Sequence, residues 1–214
     1  MIEEILPAAS SAFEVTGDPP DAKLWPEEER LVAGAVEKRR REFTTARHCA
    51  RQALLGLGEP PVAVLSGPKR EPLWPPGVVG SITHCAGYRA AVVARDRDLA
   101  SVGVDAEPDE PLPEGVLDTI ALPGEVDRIG ALLRARPEVR WDRLLFSAKE
   151  SVYKTWYPLA RRWLDFTEAD ITIDAEAGAF TARLLVPGPM SRLDGRWLAR
   201  SGLVLTAIAL PAPR

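Results

Sequence analysis

The sequence predicts an α+β protein made of two successive halves, and three observations carry that reading. Helical periodicity and strand patterning come in blocks, ordered helices, strands, helices, strands. A proline-rich acidic break, PDEPLPEG at 108–115, divides residues 1–107 from 108–214, each half about 100 residues and so of domain size. With 214 residues, 46% of them hydrophobic and 27% charged, there is apolar material for a real core and no bias towards disorder.

In the first half, residues 27–57 read as helix in two pieces. Pro26 followed by three glutamates suits a first helical turn, and Leu31, Val32, Ala35 and Val36 form one stripe. Thr44 or Thr45 is placed to cap a second piece carrying Ala46, Ala50, Leu54 and Leu57, which Gly58 ends. Residues 59–77 hold Pro and Gly clusters around LSGPKREP and read as loop. VVGSITHC, YRAAVVARD and ASVGVDAE then read as three strands in quick succession.

In the second half, residues 116–134 look helical with an interruption at Pro123-Gly124. Residues 138–156 contain neither Gly nor Pro and give the clearest helix. Trp141, Leu145, Ala148 and Val152 fall within about 60° of arc on its wheel. Residues 169–186 read as a hairpin around Ala177-Gly178, and 195–210 as another turning at Ser201-Gly202.

Composition excludes several classes. A net charge of −4 argues against a general nucleic-acid binder. No apolar run is long enough to span a membrane, and the start, MIEEILP, lacks the positive region of a signal peptide, so a soluble cytoplasmic protein with no membrane partner is expected. Cys49 and Cys85 each follow a histidine, but zinc ligands sit about two to four residues apart, so both are read as buried free thiols.

Four features bear on chemistry. In SVGVDAEP, Asp105 and Glu107 alternate on a strand and so face the same way; like charges that close call for a cation. The other reading is a pair of solvated turn residues before Pro108. Glu150 and Lys154 lie one helical turn apart, away from the apolar stripe. They form either an exposed pair worth ~0.3–0.5 kcal/mol or the wall of a site. Two strand acids and one helix acid, with the Ala106 carbonyl, make an oxygen-rich site suited to Mg²⁺ and substrate phosphates. In GSITHC, small Gly80, Ser81 and Thr83 precede His84 and allow close approach of a phosphate. The arginine-rich 39–51 segment is either a solvated helix face or a set of phosphate forks, and Lys69-Arg70 adds a second grip. Together these describe a polyphosphorylated small molecule bound with Mg²⁺.

The segments KRRREFTTARHCAR, GSITHCAGYRAAVV, VGVDAEP and FSAKESVYKTWYPL resemble, in order and approximate spacing, the 4′-phosphopantetheinyl transferases of the Sfp/EntD type. The resemblance is strongest to bacterial broad-specificity members serving polyketide and non-ribosomal peptide synthesis. It implies two similar α+β subdomains related by pseudo-two-fold symmetry, with coenzyme A in the cleft between them. It implies that Asp105, Ala106, Glu107 and Glu150 hold Mg²⁺ with the coenzyme A pyrophosphate, which Lys154 contacts. It implies that Arg39, Arg47 and His84 grip the nucleotide and its 3′-phosphate, with Lys69 and Thr83 lining the same site. Ser66 belongs to that site too, where close relatives can carry a basic residue; Arg70 can compensate.

The implied reaction moves the 4′-phosphopantetheine arm to a serine of an acyl or peptidyl carrier protein. The serine oxygen attacks the β-phosphorus and 3′,5′-ADP leaves. Glu150 takes the serine proton, Lys154 stabilises or protonates the leaving phosphate, and Asp105 completes the catalytic set. Carrier proteins of this class present acidic helices, which Arg161, Arg162 and the apolar 112–122 region would meet. A monomer is expected. The competing readings are another metal-dependent phosphodiesterase acting on coenzyme A or a nucleotide, and a non-catalytic coenzyme A binding module.

Overall fold

The computed structural model describes residues 1–213. The fold is α+β, in two compact units: residues 1–102 with the tail from Pro211, and residues 103–210. The division falls inside one long strand.

The first unit contains β1 (Ser10–Thr16), a short α1 (Pro26–Glu29), the long α2 (Glu37–Gly56), a two-residue pair β2 (Leu65–Ser66) and β3 (Pro72–Leu73), then β4 (Val78–Cys85), β5 (Tyr88–Arg95) and the start of β6 (Leu99–Pro108). Antiparallel β1, β5 and β4 form one sheet, with β5 in the centre. Cys49, Ala50, Ala53 and Leu54 of α2 bury against Val78, Ala91 and Val93 of the sheet. Small side chains at helical spacing let helix and sheet approach closely.

Three expectations need correction here. Thr44 and Thr45 do not cap a second helical piece, because α2 runs straight through them. The Thr44 hydroxyl donates to the Arg40 carbonyl 2.8 Å away, one turn back, and the Thr45 hydroxyl to Asp18 at 2.8 Å. The helical break falls earlier, at 33–36, where Val36 is extended. β1 is an additional strand, paired from Ser10↔Ala94 to Thr16↔Tyr88. Both cysteines are free thiols, but only Cys49 is buried; Cys85 is partly exposed.

The second unit contains α3 (Val116–Ile120), α4 (Pro123–Ala135), α5 (Trp141–Ala160), β7 (Ala169–Asp174), β8 (Ala179–Leu184), β9 (Arg192–Arg200) and β10 (Leu203–Pro211). Its sheet runs in the order β6-β10-β9-β8-β7. Pro123 opens α4, where the Glu125 carboxylate accepts from the Leu122 amide at 2.7 Å. The expected stripe of α5, Trp141, Leu145, Ala148 and Val152, is buried among Ile171, Phe180, Leu193 and Val204. That helix extends beyond its expected end, past Pro158, and stops at Arg161 in the left-handed region. Both second-half hairpins turn where the glycines and Ser201 supply positive φ. Among the described residues no helix is long and apolar enough to cross a membrane.

Candidate active site

The site in the second unit depends on how closely α5 packs on β6. A β-carbon at Gly103 would stand 2.8 Å from the Thr155 amide nitrogen and collide with the Ser151 carbonyl and the Thr155 hydroxyl. Hydrogen alone fits there, so the helix backbone rests on the strand. The α5 face turned to the sheet is Ser147, Ser151 and Thr155, spaced by single turns. Buried hydroxyls need partners. Those of Ser147 and Ser151 lie 2.9 and 2.7 Å from Thr206 Oγ1, and Thr155 donates to the Ser151 carbonyl at 2.8 Å.

This packing sets Glu150 and Lys154 beside the end of β6. Lys154 Nζ donates to Asp105 Oδ1 at 2.7 Å and to the Val104 carbonyl at 3.0 Å. Lys154 is thus tied to the strand acid, not confined to a helical pair with Glu150. Asp105 is only 5% exposed. Glu107 accepts from Arg143 Nη1 at 3.2 Å. Burial, then the charge of Asp105, push the Glu107 carboxyl up to about 7 against the pull of Arg143 and Lys154; Glu150 adds to the rise. Burial likewise raises Glu150, opposed by Lys154 and helped by Asp105. Ala106, between the two strand acids, is buried.

Among the described residues no three His, Cys, Asp or Glu side chains stand close enough together, as they are placed, to hold a metal ion. The donor set nonetheless suits a hard divalent cation. Asp105, Glu107 and Glu150 offer only carboxylate oxygens and are near enough to feel one another's charge, although burial is the main reason that the Glu107 and Glu150 carboxyls are raised.

Beside Glu150 opens a pocket of about 100 Å³, walled by Tyr153, Trp163, Leu164, Phe166 and Ala169. Trp163 is 59% exposed, and its ring lies 4.9 Å from that of Tyr153. Lys149 also borders the pocket but has a structural task. Its ammonium pairs with Glu125 at 2.8 Å, both side chains fully buried, and donates to the Phe166 and Ala169 carbonyls at 2.6 and 2.9 Å. Glu125 in turn accepts from the Ile171 amide at 2.7 Å. This buried pair joins α4 to α5 and fixes the 166–169 wall.

Sequence reasoning missed Arg143, Tyr153 and Trp163. The spacing of Arg143, seven residues before Glu150, was the available signal for the first. Of the surfaces expected to meet a carrier, Ile120 and Ala121 lie in the core, and Arg162 is paired with Glu168 at 3.0 Å.

The expected phosphate-gripping residues lie in the first unit. Arg39 Nη1 is 2.9 Å from His84 Nε2. A guanidinium can only donate, so His84 accepts at Nε2 and carries its proton on Nδ1. Buried Arg47 lies over the Phe43 ring and donates to the Val64 carbonyl at 2.6 Å and to Ser66 Oγ at 2.9 Å. Burial draws its guanidinium down to about 10; Glu28 opposes this, while Arg39 and Arg51 reinforce it. Glu28 anchors the segment by accepting from Arg51 and from the Val64 amide. Thr83 is buried on β4 beside His84, and Lys69 is exposed between β2 and β3. Arg39 and His84 are therefore brought together, as are Arg47 and Ser66.

Residues 27–94 match the family model described as the 4′-phosphopantetheinyl transferase N-terminal domain, and residues 101–206 match that of the 4′-phosphopantetheinyl transferase superfamily. The chain is 55% identical to the 4′-phosphopantetheinyl transferase Svp of Streptomyces mobaraensis, an alignment covering 100% of this chain and 90% of that protein. It is 52% identical to Npt of Nocardia iowensis, covering 98% and 99%. It is 48% identical to PptT of Mycobacterium tuberculosis, covering 98% of each. Enterobactin synthase component D of Salmonella typhi is more distant, 37% identical over 62% of this chain.

Proposed function

The chain belongs to the 4′-phosphopantetheinyl transferase superfamily, and from that premise we propose that the acid cluster at the β6–α5 junction is its catalytic centre. The enzyme transfers the phosphopantetheine group of coenzyme A to carrier proteins. A phosphodiesterase or a mere binding module does not account for whole-chain identity to transferases. The acceptor is a serine of an acyl or peptidyl carrier protein, and 3′,5′-ADP is released.

The observation that carries the site is the grouping of buried Asp105 with the half-buried Glu107 and Glu150, Asp105 being paired with Lys154. Asp105, Glu107 and Glu150, with the Ala106 carbonyl, would hold Mg²⁺. The ion would neutralise pyrophosphate charge as a Lewis acid. Glu150, its carboxyl raised by burial, takes the proton of the attacking serine hydroxyl. Lys154 stabilises the leaving phosphate, its ammonium already aligned by Asp105 and the Val104 carbonyl. Arg39, Arg47 and His84 bind the nucleotide phosphates, with Ser66, Lys69 and Thr83 around them. The aromatic pocket beside Glu150 takes the pantetheine arm, whose gem-dimethyl and methylene carbons can lie on the rings while its two amides and hydroxyl keep polar partners.

The test is incubation with coenzyme A, Mg²⁺ and an apo carrier protein, followed by mass spectrometry. A carrier heavier by one phosphopantetheine supports the reading. Hydrolysis of coenzyme A with an unmodified carrier sinks it.

A further inference from the structure

No step above uses Arg143, yet it is held more firmly than a surface arginine. It leaves α5 two turns before Glu150, within about 20° of the same direction. All three guanidinium nitrogens are engaged. Nε donates to the Glu110 carbonyl at 3.0 Å, Nη2 to the Pro111 carbonyl at 2.9 Å, and Nη1 to Glu107 Oε2 at 3.2 Å. The side chain is 15% exposed and that of Glu107 19%. The same loop is stitched to the start of α5 twice more: the Arg140 amide donates to Asp109 at 3.1 Å, and the Leu112 amide to Asp142 at 2.8 Å. An exposed Arg–Glu pair swings freely and contributes little. Here two backbone carbonyls fix the fork, and the fork fixes the carboxylate.

Building on the function proposed above, we propose that Arg143 is a positioning residue for the divalent cation. It grips one oxygen of Glu107 and leaves Oε1 for the ion, so that Glu107 is aimed towards the Asp105 and Glu150 side of the cluster. Carboxylates that bind metals are commonly oriented through such outer hydrogen bonds, and losing one costs about 10–100-fold in metal affinity. Lysine cannot replace the fork, since a single ammonium on a flexible stem does not reproduce a planar three-nitrogen contact.

The test is Mn²⁺ titration of the full chain with coenzyme A present, free Mn²⁺ being read by electron paramagnetic resonance. Arg143→Gln is expected to weaken Mn²⁺ about 10–100-fold. At saturating metal, the KM for coenzyme A is expected to stay within about threefold, because the residue acts through Glu107 and not on the nucleotide. Arg143→Gln with Mn²⁺ affinity within about twofold of wild type, while Asp105→Asn loses it, overturns the proposal and leaves the site reading standing. Unchanged affinity in both overturns the proposal and the metal site together. If Arg143→Gln does not fold by circular dichroism, Arg143→Lys decides. Several-fold weaker Mn²⁺ supports the positioning role, and wild-type affinity overturns it.

Discussion

Gly103 lies directly against the Ser151 carbonyl, with no room for a side chain between β6 and α5. The contact joins the strand that carries Asp105 and Glu107 to the helix that carries Glu150 and Lys154. The separation of the acids is therefore set by a glycine two residues before the first of them.

Gly103→Ala is expected to force strand and helix apart and to destabilise the protein by ~1–3 kcal/mol, read by urea denaturation. Backbone and a short threonine side chain are what the new methyl meets, and neither can swing away as a long side chain would. Transfer activity falls with the displaced Glu150. A variant as stable and active as wild type would show that the close approach is dispensable.

Glu150→Gln keeps the size of the side chain and removes its basicity. Coenzyme A binding by calorimetry is expected to persist, while carrier modification drops by about 10²–10⁴-fold. Full activity in this variant would remove Glu150 from proton transfer.

Much of this arrangement was legible in the chain. The α5 stripe and the second-half turns follow from local periodicity and from Gly178, Gly202 and Pro123. β1 escaped because SSAFEVT is short on aliphatic residues and lies at a sheet edge, half-exposed along most of its length. Thr44 and Thr45 misled because a hydroxyl that caps a helix start can equally bond back within a helix, as Thr44 does, or reach a distant side chain, as Thr45 does with Asp18. The role of Arg143 was hidden because it depends on loop carbonyls at Glu110 and Pro111, and carbonyl direction is a tertiary property. The task of Lys149 was not legible because its buried partner, Glu125, lies on another helix.

Asp170 gives a pH prediction. Burial works to raise its carboxyl, but the hydrogen bonds from Arg183, at 3.0 Å, and from Arg128 outweigh it, so its pKa falls below the ordinary 3.8. The unfolded chain then binds the proton more readily than the folded one. The stabilisation is complete above the ordinary value and is lost as pH falls through the lowered one. Asp170→Asn is therefore expected to lower Tm at neutral pH, with the gap to wild type closing as pH drops below about 3.8. Thermal melts between neutral and strongly acidic pH check this, and a gap independent of pH would contradict it.

Trp163 offers the sharpest separation between the two ends of the substrate. Its ring is an exposed wall of the pocket beside Glu150, so removing it opens the pocket without cutting into the core. Trp163→Ala takes away apolar surface that the pantetheine chain would cover, worth ~1.5 kcal/mol and hence about tenfold in affinity. 3′,5′-ADP has no pantetheine arm and so has nothing to lose from this change. Calorimetry of the two ligands should therefore show coenzyme A weakened about tenfold and 3′,5′-ADP unchanged. Equal weakening of both would place the nucleotide, not the arm, against this tryptophan. No effect on either would mean that the arm lies elsewhere and that the pocket serves the fold.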